Sequence, residues 1–171
     1  VNTANYILNK IRTYTDKHKS IIDNMEVLCD AYIELANAQL AQKPKSNDSI
    51  SFPKTLIINK IKNFTQTNVL TNRIQINPTG EYDETKLIYI VKFDNKFKIA
   101  NGVNMPKIVN CYGSDGIIRK QLVKGKDDLR QDAIMQQFFS TVNDIINYNN
   151  SNQNTQKLNK MRTYKIVPLS K

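Results

Sequence analysis

The sequence of 171 residues contains two cysteines, one histidine and no apolar run of about 18 residues. Cys29 and Cys111 stand far apart with no cysteine or histidine near either, which excludes a disulfide framework and argues against a zinc site. Because the sequence has neither a long apolar run nor a signal-peptide pattern, we expect a soluble chain with no membrane contact. His18, the single histidine, lies among lysines and is expected to face solvent rather than act in catalysis.

Acidic residues are also scarce: 15 Asp and Glu stand against 25 Lys and Arg, a formal net charge of +10. Such an excess suits phosphates, acidic partners, nucleic acid or simply a solvated surface. A nucleic-acid module would interleave aromatic and basic residues on one sheet face, and the sequence has no such stripe. We therefore predict no direct nucleic-acid contact.

The 40% apolar content is enough for a real core. A chain that begins with Val1 is expected to be a piece of a longer protein.

Apolar residues recur at helical spacing between Ala4 and Leu40, which predicts one or two long helices. The polar segment TDKHKS, 15–20, is the predicted break, with Ser20 as the N-cap of the second helix. The segment 41–53 has two prolines and a polar middle, so it is predicted to be a linker.

The centre of the chain predicts antiparallel β structure. The predicted strands are LIINKI from Leu56, VLTNRIQI from Val69, KLIYIVKF over 86–93, KFKIA after a turn at Asp94 and Asn95, KIVNCY from Lys107, and IIRKQLVKG from Ile117. A turn is predicted at NPTG, 77–80, and a hairpin turn at GSDG, 113–116, with Asp115 and Gly116 at positive φ.

After Lys124 the apolar period becomes helical, which predicts a single helix from about Asp128 to Asn147. The segment 148–160 is rich in asparagine and is predicted to be a mobile loop. A final strand is predicted over Thr163–Ser170.

The stretch VKGKDDLRQDA, 123–133, gathers acidic residues around Lys124 in a basic chain. A partly buried ammonium at a strand end needs an anion, and Asp127, Asp128 and Asp132 are within reach. The same acids have a structural interpretation, because Asp127 and Asp128 open a helix whose free N–H groups they would satisfy. The residues alone leave both interpretations open.

Nucleotide phosphates need a loop whose backbone comes close and a cation beside it. Two loops compete for this role, NGVNMP at 101–106 and GSDG at 113–116. Composition favours GSDG. Strand order favours NGVNMP, because a kinase-type phosphate loop joins strands one and two while the lysine stands on strand three. We expect Gly102 to allow close approach, with Val103 and Asn104 forming the turn.

Four motifs together resemble the N-terminal lobe of the phosphatidylinositol-3-kinase-related protein kinases, most closely the ATM-type checkpoint kinases. They are NGVNMPKI, GSDG, QLVKGKDDLRQDAIMQQFF and TYKIVPLS, in the family's order over about Phe97–Ser170. CDAYIELAN within the first helices resembles the end of the FAT helical repeats, and the Asn-rich insert is typical of a fungal member. The resemblance implies an α+β fold: a five-stranded antiparallel sheet with one long αC-type helix, preceded by a helical FAT-end segment.

The resemblance also implies domain boundaries and site residues. Residues 1–42 would end the FAT region, 43–95 would link it to and begin the kinase domain, and 96–171 would form the N-lobe. The implied ATP-binding residues are Lys124 at the phosphates and Asp127 beside it. Asp132 and Tyr164 would lie at the back of the adenine pocket, and Gly102, Val103 and Asn104 would form the phosphate loop. None of these residues is expected to be a metal ligand.

The family's catalytic Asp-Arg-His and metal-binding Asp-Phe-Gly motifs belong to the C-lobe, and neither occurs here. The chain is therefore expected to be inactive alone. The whole protein is expected to be a serine/threonine kinase that uses Mg-ATP and modifies protein substrates at Ser/Thr-Gln in DNA-damage and telomere signalling. It is expected to be nuclear and homodimeric, and to be recruited to DNA ends by a partner complex. Within it, this chain would pack against the C-lobe and the FAT repeats. A phosphatidylinositol lipid kinase and a non-catalytic scaffold are the alternatives.

Overall fold

The fold was analysed in a computed structural model, which describes residues 2–13, 16–39, 49–72, 74, 78–80, 83–101, 103–152 and 158–169. The chain divides into two compact units, the first formed by residues 1–69 and 74–126 and the second by 70–73 and 127–171. The elements of the first unit are α1 (Asn2–Arg12), α2 (Asp16–Asn37), β1 (Ser49–Ser51), a 3₁₀ helix (Ile57–Lys60), β2 (Lys62–Asn68), a 3₁₀ helix (Glu84–Lys86), β3 (Tyr89–Phe93), β4 (Lys96–Ile99), β5 (Lys107–Gly113) and β6 (Ile118–Val123). The second unit contains α3 (Leu129–Asn152).

The six strands form one antiparallel sheet in which β5 is central. Strand β6 pairs with β5 along its length, while β3 and β4 pair with it on the opposite edge. Strands β2 and β1 then extend the sheet beside β3 and β4, respectively. The predicted α+β class and antiparallel sheet are confirmed in the described residues, and the sheet has the predicted five strands when β3 and β4, which both run antiparallel to β5, are counted as one.

The predicted turn at Asp94 and Asn95 is wrong, because β3 and β4 do not reverse direction. Both run antiparallel to β5, so they form one strand interrupted by a bulge. The Asp94 N–H donates to the Asn110 carbonyl (3.1 Å), and its carboxylate accepts from Asn110 Nδ2 (2.8 Å) and the Tyr112 hydroxyl (2.7 Å). These bonds hold the bulge against β5.

Helix α2 covers one face of the sheet with an apolar stripe at helical spacing. Leu28, Ala31, Tyr32 and Leu35 are all buried. The Tyr32 hydroxyl donates a short hydrogen bond to Gln121 Oε1 on β6, and its ring meets Phe93 edge-on at 5.9 Å between centroids. Burial raises the pKa of the Tyr32 hydroxyl far above its usual value, so it remains a donor.

The predicted break at TDKHKS is wrong for its described residues, 16–20, which are helical. Helix α1 ends at Arg12 and α2 begins at Asp16, so Ser20 lies inside a helix and is not its N-cap. Polar composition by itself does not end a helix, because apolar side chains are needed only on the face of the helix that packs. Most of the predicted linker and Asn77 of the NPTG turn lie outside the described residues.

Two predicted strands before residue 77 are wrong in the described residues. The first is replaced by the 3₁₀ helix Ile57–Lys60, because Glu34 Oε2 on α2 accepts the Ile57 N–H at 2.7 Å. The second is placed too late: β2 ends at Asn68, and 70–72 form a turn. The sequence of β2, KNFTQTN, lies beyond β3 in the sheet and carries too few apolar residues to show the expected pattern.

The predicted helix after Lys124 is confirmed, although it continues five residues further, to Asn152. Residues 148–152 are therefore helical rather than part of a loop. The predicted final strand is absent from the described residues 158–169, which have no strand partner. Side-chain amides of α3 bind this segment instead, as described below. No helix in the described ranges has the length and apolar content to cross a membrane.

Candidate functional site: a lysine at one end of the sheet

The register of β5 and β6 decides which loops lie near Lys124. Lys107, the first residue of β5, pairs with Val123, the last of β6. The loop 100–106 and Lys124 therefore lie at one end of this strand pair, and the turn 113–116 lies at the other, about 20 Å away for a seven-residue strand. The strand order is that predicted: the NGVNMP loop comes before β5 and GSDG joins β5 to β6.

The loop 100–106 is closed at its base and touches the segment after Lys124. The Ala100 N–H donates to the Pro106 carbonyl at 2.8 Å. Asn104 Nδ2 donates to the Lys126 carbonyl at 3.4 Å, and the Val103 side chain is 99% exposed. The predicted Gly102 contact lies outside the described residues. Val103 is thus fully exposed, while the loop is held at its base and by the Asn104 amide.

Lys124 follows the last residue of β6 and is half-buried. Two residues before it, Leu122 is 52% exposed and pairs across the sheet with Ile108. These two apolar residues lie on the sheet face opposite to the buried Val109 and Val123. Sequence reasoning missed them as candidate site residues. The alternation of side chains along β6 could have placed Leu122 on the same side as Lys124.

The segment after Lys124 is packed tightly against the end of α2. A Cβ on Gly125 would lie 2.7 Å from the Ala36 carbonyl oxygen, so only glycine fits without a shift of the backbone. The same carbonyl accepts the buried Lys107 ammonium at 3.0 Å. Burial lowers the pKa of Lys107, while the carbonyl end of the helix favours its charge. Helix α2 therefore fixes the segment that carries Lys124.

In the second unit the acid with an observed structural role is Asp128. Asp128 caps α3, since its carboxylate accepts the Arg130 N–H at 3.1 Å. It also pairs with the Arg130 guanidinium at 2.7 Å, which lowers the pKa of Asp128 to about 2. Asp127 is exposed, and Asp132 is half-buried in the first turn of the helix. The structural interpretation thus holds for Asp128, while Asp127 and Asp132 stay site predictions.

Tyr164 lies in the extended segment 158–169 with a 59% exposed side chain. Its backbone N–H donates to Gln136 Oε1 of α3 at 3.0 Å. The ring is therefore accessible while the backbone is held.

The predicted site residues fall into two groups. Lys124, Val103 and Asn104 share one end of the sheet in the first unit, whereas Asp127, Asp132 and Tyr164 belong to the second unit. Among the described residues no cluster of three or more His, Cys, Asp or Glu could hold a metal ion. The first group can offer a cation, a polar loop and an apolar sheet face to a phosphorylated ligand.

The GSDG turn is built as an ordinary hairpin. Gly116 has φ 75°, and its N–H donates to the Gly113 carbonyl at 3.0 Å. Asp115 does not have a positive φ, contrary to prediction; its carboxylate accepts the Ile117 N–H at 3.1 Å instead. The Arg119 guanidinium, 2.6 Å away, lowers the pKa of Asp115 to about 2. The carboxylate is thus already paired within the hairpin.

Known proteins resemble this chain over nearly its whole length. Serine-protein kinase ATM of Sus scrofa is 43% identical over 160 residues, which are 94% of this chain. The chain is homologous to the ATM and Tel1 serine/threonine kinases. A solved structure of the FAT and kinase domain of CtTel1 superposes with a TM-score of 0.76 at 30% identity over 96% of the chain. A complete CtTel1 dimer with C2 symmetry gives 0.75 at 29% identity over the same share. No protein-family model matches the chain.

The ATM/Tel1 similarity concerns a small part of each relative. The chain spans 5% of the pig ATM kinase, 12% of the CtTel1 FAT and kinase chain and 6% of the complete CtTel1 chain. Within that part, the predicted kinase-like N-lobe fold with a long helix is confirmed. The relatives are named serine or serine/threonine kinases, and this sequence contains neither the Asp-Arg-His nor the Asp-Phe-Gly motif.

Proposed function

We propose that this chain is the ATP-binding lobe, with the last FAT helices attached, of an ATM/Tel1-type serine/threonine kinase. The observation that carries the proposal is the end of the sheet at which the segment after Lys124 meets the NGVNMP loop, through the hydrogen bond from Asn104 to the Lys126 carbonyl. In kinases a lysine on the third strand binds phosphates beneath the loop that joins the first two. The bulged strand β3–β4, then β5, then β6 reproduce that order in this sheet.

Each predicted site residue has a role in this proposal. Lys124 holds the ATP phosphates, and Asp127 lies beside it. Gly102, Val103 and Asn104 cover the phosphates. Asp132 and Tyr164 line the back of the adenine pocket. Mg²⁺ accompanies ATP, with its protein ligands in the C-lobe motifs absent from this sequence.

The proposal extends to the whole protein. Residues 1–42 end the FAT region, 43–95 lead into the kinase domain and 96–171 form the N-lobe. The enzyme transfers the γ-phosphoryl group to Ser or Thr before Gln in DNA-damage and telomere signalling. It works in the nucleus as a homodimer, for which the dimeric CtTel1 structure is the support, and a partner complex brings it to DNA ends.

The test is Lys124→Ala in the full-length protein, assayed for phosphate transfer to a Ser-Gln peptide. An ammonium on the phosphates stabilises charge in the transition state that water in a closed cleft cannot replace. We expect activity to fall by roughly a hundredfold or more, several kcal/mol of barrier. The fold should persist, because the half-buried lysine ends a strand and contributes little to the core.

The matched control is Lys120→Ala, which removes an exposed lysine from the same strand nearer the GSDG turn. It should retain normal turnover. A Lys124→Ala enzyme with near-normal turnover would show that this lysine is a structural charge. The wild-type enzyme is also assayed with a Ser-Ala peptide, which lacks the Gln after Ser, and with phosphatidylinositol vesicles. Preference for the vesicles would favour the lipid-kinase alternative.

A further inference from the structure

Three side-chain amides of α3 bind the backbone of the extended segment 158–169. Asn150 pairs with Leu158 through two hydrogen bonds of 3.0 Å, one donated and one accepted. Asn143 pairs with Met161 in the same way, with both distances 2.8 Å. Gln136 Oε1 accepts the Tyr164 N–H at 3.0 Å. We call this set the amide ladder.

The spacing of the amide ladder matches two different backbone periods. Its helix residues are seven apart, which corresponds to two turns and a rise of about 10.5 Å. Its partners are three apart in an extended chain, which advances about 9–10 Å. The two periods agree closely enough for three successive pairings. The ladder therefore fixes the segment lengthwise against α3, in the antiparallel direction.

The face of α3 that carries the amide ladder is thus bound to the segment 158–164. Seven-residue spacing keeps the ladder residues on one face, whereas Ile134, Phe138 and Ile145 lie on the opposite face and are each more than half exposed. Directional hydrogen bonds fix where the segment 158–164 lies along the helix, and a shift by one residue would break all of them.

We propose that Gln136, supported by Asn143, is a positioning residue that sets the place of Tyr164 for ATP binding. The inference rests on the proposed function, in which Tyr164 lines the adenine pocket. Gln136 binds the backbone N–H of Tyr164, so it acts on the site through that residue. Its loss should weaken ATP binding and leave the transfer step itself nearly unchanged, because the phosphate-binding Lys124 stands on a different element.

The experiment compares Gln136→Met with Gln136→Glu in the full-length kinase. Met keeps the length but cannot accept a hydrogen bond, whereas Glu keeps an acceptor for the Tyr164 N–H. We expect Gln136→Met to raise the KM for ATP by roughly fivefold, the effect of losing one hydrogen bond, with kcat changed by less than about twofold. Gln136→Glu should restore a KM near that of the wild type.

Hydrogen exchange of the same proteins gives a readout independent of activity. In the wild type the amides of Leu158, Met161 and Tyr164 should be protected although no strand pairs with them. Gln136→Met should speed exchange at Tyr164, and Gln137→Met, the exposed neighbour on α3, should alter neither exchange there nor the KM for ATP.

Two results would overturn the inference. One is a Tyr164 amide whose exchange is the same in Gln136→Met as in the wild type. The other is a faster exchange with no change in the KM for ATP. Failure of the proposed function is a different result, since Lys124→Ala would then keep its activity, whereas failure of this inference alone leaves Lys124→Ala inactive.

Discussion

At the scale of single residues, Ala36 is the point at which α2 meets the lysine segment. Its carbonyl oxygen accepts the Lys107 ammonium and lies against Gly125, next to Lys124. The oxygen belongs to the last turn of α2, where carbonyls lack helical partners and the helix dipole is negative. Lys107 satisfies this carbonyl, and the absence of a side chain at Gly125 leaves it room.

Gly125→Ala should destabilise the first unit by about 1–3 kcal/mol, because the added Cβ would meet a backbone oxygen that cannot rotate away. Urea unfolding of wild-type and variant chains, followed by circular dichroism, measures the difference in free energy. Gly116→Asn is the control: its φ of 75° suits asparagine and nothing lies near its Cβ position, so its stability should change little. Equal stability of Gly125→Ala and the wild type would contradict the close contact.

At the scale of elements, α2 is held to the sheet by an apolar interface that includes two buried polar contacts, one from Tyr32 to Gln121 and one from Lys107 to the Ala36 carbonyl. Tyr32 reaches β6 through Gln121, which is 5% exposed. Because β6 leads directly into Lys124, the docking of α2 and the position of the candidate phosphate-binding lysine depend on the same strand. The helix is thus part of the site's support.

Tyr32→Phe should lower the free energy of unfolding by about 1–3 kcal/mol, since a buried Gln121 oxygen would lose its hydroxyl donor. Urea unfolding is again the measurement. Tyr6→Phe, at a 62% exposed tyrosine on α1, should be neutral. In Tyr32→Phe combined with Gln121→Leu, part of the loss should be recovered, because the buried Gln121 oxygen that lost its hydroxyl donor is then absent as well. Additive losses in the double variant would argue that the hydrogen bond contributes nothing.

At the scale of the whole molecule, the two loops rich in turn residues lie at opposite ends of the β5–β6 pair. A bound nucleotide can reach only one of them, since about 20 Å of strand separates them. Composition favours GSDG, but that turn is already satisfied internally by Asp115 and Arg119. The NGVNMP loop keeps Val103 exposed beside the lysine segment.

A structure of the full-length protein with an ATP analogue should therefore show contacts to Val103, Asn104 and Lys124. No contact to Gly116 is expected. If the analogue touched Gly116 and left the 101–106 loop free, the assignment of the two loops would be reversed. Hydrogen exchange with and without the analogue gives the same comparison in solution, with slower exchange expected at the Lys124 end of the sheet only.

The sequence by itself determined the elements whose pattern is local. The alternation of apolar residues predicted β5 and β6, and the change to a helical period after Lys124 predicted the start of α3. Both predictions work because burial on one face leaves a regular apolar pattern. The same pattern located Lys124 at a strand end. The assignment of Gly102, Val103 and Asn104 to a phosphate loop needed strand order and resemblance as well.

Only the tertiary structure decided where backbone groups find distant partners. Glu34 takes the Ile57 N–H and turns a predicted strand into a 3₁₀ helix, and Asp94 binds β5 in place of a predicted turn. The amide oxygen of Gln136 accepts the Tyr164 N–H within the range where a final strand was expected. In each case the partner lies 16 or more residues away in sequence, so no local pattern records the bond that determines the conformation.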